Sequence, residues 1–192
     1  DILKPRNKKN EMTLICGIFG YQEIMMDINY NDPSEIEGAY RDEKGAWVIP
    51  FYLQHLRRGD ASLMYNLAFY KDAVVMLPQS KTDLDKLVQM MKENPGYVIK
   101  VHGHCNGGHK RKIIALGDNM NYFNVAGADE LNGSAKDLTM LRSQSIRSYL
   151  IDHGIEGHRI NIRPWGGRDM LVGKDGPSSK LNDRIEIEIL RD

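Results

Sequence analysis

Residues 184–190, RIEIEIL, alternate isoleucine with charged side chains at period two. That pattern describes a β-strand with one apolar face and one polar face. Such a strand must join a sheet whose isoleucine side is covered and whose glutamate side, carrying Glu186 and Glu188, is not. The covering layer is readable upstream. Leu84, Leu87, Val88 and Met91 recur at the spacing of one helical face. Pro78 precedes them, Ser80 and Asp83 stand in the relation of a capping box, and Asn94-Pro95-Gly96 stops the helix. A second helix is expected over 135–153, with Leu138, Leu141, Ile146, Tyr149 and Leu150 inward and Gly154 as its stop. Residues 97–104 and 159–163 alternate as strands, and 63–69 form a short apolar strand candidate. The order strand, helix, strand, helix, strand, strand predicts an α+β sandwich, a mixed sheet with its helices on one face.

The rest of the chain sorts around this unit. Residues 1–11 are polar and basic and read as a tail or linker. Residues 12–60 carry the strand-like runs MTLICGIFGY, IMMDINY and AWVIPFYL, the last interrupted by Pro50, and read as a small β-rich lead-in. The main domain is expected over 61–192, with a long, irregular, glycine-bearing insert at 107–134. A total of 192 residues suits one ordinary domain plus such an appendage. Lys+Arg and Asp+Glu number 26 each, so the chain lacks the broad positive field that nucleic-acid binding needs, and no nucleic-acid partner is expected. No apolar run is long enough to span a bilayer, and an upstream targeting segment or lipid anchor stays open. Cys16 and Cys105 have no metal-site or framework spacing.

Arg142 is the most informative single residue. It lies four positions after Leu138 and four before Ile146, along an apolar-edged stripe, where a guanidinium needs an anion. That anion is either a carboxylate of the protein or a carboxylate or phosphate of a ligand. His102, His104 and His109 around Cys105 invite a metal reading, as in a metal-dependent hydrolase. Asn106, Gly107 and Gly108 follow where a further ligand would be needed, and histidines bonded to backbone are the plainer account. No GxSxG elbow, ordered Cys-His pair or phosphate-binding glycine pattern occurs, so an enzyme stays open but unsupported by any motif, and no cofactor is expected.

Phe69-Tyr70-Lys71-Asp72 leading to Pro78-Gln79-Ser80, the helix LDKLVQMMKENP, the strand end GHCNG, the helix LTMLRSQSIRSYLIDHGI, the strand RINIRPWGG and the closing NDRIEIEI together resemble an OmpA-like peptidoglycan-binding domain. The resemblance runs in order over about 63–190, and the chain also resembles the variant of Bacteroidota envelope proteins, in which the loop after the GH motif is long. Some of these belong to the type IX secretion apparatus and carry upstream β domains, and the resemblance implies that residues 12–60 are the end of such an upstream domain. It implies a β-α-β-α-β-β sandwich in the periplasm that binds, without catalysis, the meso-diaminopimelate of the peptidoglycan stem peptide. Such a domain anchors an outer-membrane or secretion assembly to the cell wall, and its further partners are other envelope or secretion-system proteins.

By the same resemblance Arg142 takes the ligand carboxylate. Asn106 and Cys105 stand at the aspartate and threonine of the family's GHTD motif, and Asn106 with Gly107 and the neighbouring backbone takes the ligand's polar groups. Phe69, Leu138 and Arg184 shape or support the pocket. The chain departs from the family pattern at Asn106, at Ala135 and at Asp183, which replaces the first arginine of the closing motif. An uncharged Asn106 makes an ammonium contact weaker by about 1 kcal/mol unless another acid substitutes. Asp72, Asp118, Asp129 and Asp137 are the candidates. Tyr122 and Phe123 either pack on the ligand or pin the insert, and Trp165 carries the same two readings. A module that has lost wall binding and serves protein–protein interaction is the alternative, and it expects Arg142 to be satisfied internally.

Overall fold

The structure, a computed structural model, describes residues 2–64, 66–117 and 121–192. The chain divides into two compact units, Asp1–His55 and Leu56–Asp192. In the first, β1 (Glu11–Cys16) pairs antiparallel with β2 (Ile24–Asn29), Leu14 lying opposite Met26. Then β3 (Tyr40–Arg41) pairs with β4 (Trp47–Val48) across a turn in which the Asp42 carboxylate accepts from the Lys44 and Ala46 amides. The expected strand AWVIPFYL is regular only at Trp47–Val48, since Pro50 has no N–H to donate to a ladder.

In the second unit β5 (Ala61–Leu63) is followed by α1 (Lys81–Glu93), β6 (Val98–His104), β7 (Arg111–Ala115), β8 (Asp129–Gly133), α2 (Ala135–Asp152), β9 (Ile160–Gly166) and β10 (Ile185–Arg191). The main sheet has the order β5-β10-β6-β9, with β10 antiparallel to both neighbours and β6 parallel to β9. This is the expected mixed sheet with helices on one face. Ile99 and Val101 of β6 and Ile185, Ile187 and Ile189 of β10 are fully buried on the helix side. The reverse face pairs Lys100 and His102 with Glu188, each at 2.8 Å. Helix α2 lies so close to β6 that a Cβ on Gly103 would stand 2.7 Å from both Ser143 Oγ and the Thr139 carbonyl. Glycine is what allows the helix that carries Arg142 to approach the strand that carries the GHCNG loop.

Three local expectations are corrected. The apolar run 63–69 is a strand only as far as Leu63. Beyond it Met64 keeps one amide bond to the Ile185 carbonyl, Leu67 is buried outside any strand, and Phe69 bridges Met76 across a turn, because an apolar run reports burial and not conformation. Ser80 does not cap α1. Its hydroxyl accepts from the Ala68 amide and donates to the Ala68 carbonyl, both at 2.9 Å, tying the Phe69 turn to the helix start. The insert 107–134 is not irregular, for β7 and β8 form an antiparallel pair within it, and Val74 and Ile114 join the pair to the 72–74 segment.

Candidate functional site

The C-terminal end of β6, the first half of α2, the turn at 69–74 and the approach to β10 converge around Cys105. Cys105, Val74, Ile113, Ala135 and Leu138 form one buried apolar cluster, so Leu138 acts as a floor. The Cys105 thiol lies 3.7 Å from the carbonyls of Gly107 and Ala135, and burial pushes its pKa up, which keeps it neutral. Arg111, Asp183, Arg142 and Asp72 all act on this thiol electrostatically. The site is therefore a neutral, buried centre ringed by two guanidiniums and two carboxylates.

Arg142 is buried, and each part of its guanidinium has a definite surrounding. Nε donates to the Ala73 carbonyl at 2.9 Å and Nη1 to Asp183 Oδ1 at 2.8 Å. The Phe69 ring stacks on it at 4.4 Å. Among the described residues Nη2 has no hydrogen-bond acceptor. Burial acts to lower the Arg142 pKa and the Asp183 carboxylate opposes it. The second cation, Arg111 of β7, donates from Nη1 to Asp72 at 2.9 Å and from Nη2 to the carbonyls of Asn106 and Gly107, each at 3.3 Å. Asp72 itself sits at φ +50°, a left-handed conformation that aspartate tolerates better than most residues.

The loop after β6 is held from several sides. Gly107 takes φ +72°, and a Cβ on Gly167 would fall 2.2 Å from the Gly107 carbonyl oxygen, so two glycine backbones abut here. The Asn106 side chain is spent on the protein. Its Oδ1 accepts from Asn182 Nδ2 at 3.0 Å, and its Nδ2 donates to the Lys174 carbonyl at 3.0 Å.

Arg142, Phe69, Asp72, Cys105, Asn106, Gly107 and Leu138 thus lie together in the structure. Arg184 does not reach them. Its Nε donates to Glu186 at 2.7 Å and its Nη1 to the Asp169 carbonyl at 3.0 Å, on the polar side of the sheet beside His104. Trp165 stacks on His102 and His104 and donates to His102 Nδ1 at 2.9 Å. These histidines are occupied by Trp165, Glu188 and the Asp169 backbone. Among the described residues no group of three or more His, Cys, Asp or Glu is placed to hold a metal.

Tyr122 and Phe123 pack edge-on against Tyr149 of α2, and Tyr122 donates to Asp152 at 2.6 Å, so both pin the insert. Of the candidate acids, Asp137 is spent in the cap of α2, accepting from the Ser134 amide and hydroxyl. Asp129 is exposed on β8 opposite Ala115, and Asp118 lies outside the described residues. Sequence reasoning does not single out Arg111, and it marks Asp183 only as a departure from the family's closing motif. Period two does contain a signal for Asp183, because it shares the parity of Ile185 and Ile187 and so belongs to the helix side, opposite Arg184.

The second unit is thus an α+β sandwich that sets a buried arginine beside the loop at the end of an inner strand. Residues 68–184 match the OmpA family, more than half of the chain, and the chain belongs to that family. Among solved structures it is similar to the periplasmic domain of MotB from Helicobacter pylori, with 16% identity and a TM-score of 0.52 over 74% of this chain and 89% of that one. A MotB-like protein from Desulfovibrio vulgaris gives 19% identity and a TM-score of 0.50, covering 69% and 74%. At these identities the likeness is one of fold. Among curated proteins none matches the chain.

Proposed function

We propose that the unit Leu56–Asp192 binds peptidoglycan, without catalysis, through the meso-diaminopimelate of the stem peptide. In this reading it anchors an outer-membrane or secretion assembly to the cell wall from the periplasm. Membership of the OmpA family and the likeness to periplasmic MotB domains support the general reading. The observation that carries the particular one is Arg142, a buried guanidinium fixed on Nε, Nη1 and one ring face, with Nη2 left for a carboxylate. Holding the fork in place removes the side-chain entropy that an exposed arginine would lose on binding. The finer form of the reading, a type IX secretion component of a Bacteroidota envelope, rests on the length of the segment after the GHCNG strand end.

The Arg142–Asp183 pair favours a second reading. A guanidinium already paired within its own chain is what a protein–protein interaction module, released from wall binding, would retain. Calorimetric titration with a diaminopimelate muropeptide, beside the same ligand carrying lysine, separates the two. Saturable binding that prefers diaminopimelate and is lost in Arg142→Ala supports the anchor. A folded wild-type chain that stays silent at millimolar ligand supports the interaction module.

A further inference from the structure

We propose that Asp183, and not Asn106, accepts the ammonium of the bound diamino acid, a relocation of the negative charge within the site; it rests on the wall-binding reading above. Asn106 is a clamp. Both ends of its amide are engaged, by Asn182 and by the Lys174 carbonyl. Asn182 in turn holds the Val172 amide and carbonyl, at 3.1 and 2.9 Å. A side chain in that position organises the 172–174 segment and has no charge to offer a cation.

The carboxylates left in the ring are Asp72 and Asp183. Asp72 likewise gives Oδ1 to a guanidinium, but to that of Arg111, whose Nη2 is already engaged by the Asn106 and Gly107 carbonyls. Asp183 gives only Oδ1 to Arg142; among the described residues Oδ2 has no hydrogen-bond donor, and 39% of the side chain is exposed.

The chemistry of the ligand selects the same residue. The ammonium and carboxylate of an amino-acid centre share one carbon, so a zwitterion calls for a cation and an anion side by side. Arg142 Nη1 and Asp183 Oδ1 stand 2.8 Å apart, each with a further polar atom free of hydrogen bonds among the described residues. Asp183 is also the next residue after Asn182, whose amide bonds to Asn106. The acid missing at 106 is thereby supplied from the neighbouring segment, and the chain keeps a neutral, two-sign site.

The test uses the 192-residue chain and two tripeptide muropeptides, one with meso-diaminopimelate and one with 2-aminopimelate, which lacks only the second amine. Wild type should prefer the amine-bearing ligand by about tenfold, the scale of one charge-assisted hydrogen bond. Asp183→Asn should bind both alike, whatever its affinity for the 2-aminopimelate ligand, and Asp72→Asn, whatever its affinity, should keep the wild-type preference between the two. Discrimination kept in Asp183→Asn, or lost in Asp72→Asn, overturns the assignment. If Asp183→Asn loses both ligands, Asp183→Glu decides: kept discrimination supports the carboxylate role and lost discrimination overturns it. A wild type that binds both ligands equally overturns ammonium recognition alone. A wild type that binds neither overturns the wall-binding reading beneath it.

Discussion

His104 shows how one residue can record its surroundings. It is 1% exposed at the end of β6, stacked on Trp165, with Nδ1 on the Asp169 carbonyl at 3.3 Å and Nε2 facing Glu186 at 3.7 Å without a hydrogen bond. Burial lowers its pKa, the Arg184 charge adds to that, and Glu186 and Asp169 oppose it. A base whose folded pKa lies below its unfolded value of about 6.5 is protonated first in the unfolded chain. Its contribution to stability is therefore complete above about pH 6.5 and declines as the pH falls through the interval below. Thermal melts between pH 5 and pH 7.5 should show wild type losing more stability toward acid than His104→Gln; equal slopes would reject the account. The sequence made His104 visible as a strand-end histidine but not as a buried one. Its environment is built by residues 165–186, distant in the chain, as is the pairing of Arg111 with Asp72, 39 residues apart.

At the scale of elements, legibility followed periodicity. Strand β10 and helix α2 carry regular apolar positions and were readable to within a residue or two. Arg142 was readable for the same reason. Strand β8 was not, because four of the five residues of DELNG are exposed and nothing in their pattern separates strand from loop. The Ser80–Asp83 spacing yields no cap on α1, because Ser80 faces a competing backbone partner in Ala68. The reciprocal cap of α2 by Ser134 and Asp137 fulfils the same chemistry where no competitor intervenes. Removing it with Ser134→Ala should cost about 1 kcal/mol. Gly103→Ala should cost more, about 1–3 kcal/mol, since the added methyl meets the Thr139 carbonyl of α2, which cannot rotate away. Chemical denaturation of both variants checks the order, and a Gly103→Ala protein as stable as wild type would mean that α2 does not sit against β6 as described.

For the whole molecule, the distribution of core residues decides which part folds. Among the described residues before Leu56, Ile28 is the one buried hydrophobic, whereas the second unit buries Met64, Met76, Leu84, Leu87, Met91, Ile99, Leu138, Ile146, Leu150 and the isoleucines of β10. Two-stranded ladders with so little buried apolar surface are marginal in water, while a four-stranded sheet covered by helices has the area to unfold cooperatively. The candidate ring of Arg142, Asp183, Arg111 and Asp72 lies wholly within the second unit. A fragment of residues 56–192 should therefore keep a single cooperative unfolding transition, and residues 1–55 alone should exchange their amide hydrogens without protection. If instead the 56–192 fragment loses its cooperative transition, the lead-in contributes to the core of the domain. The two units would then have to be treated as one folding body, and the candidate site as dependent on both.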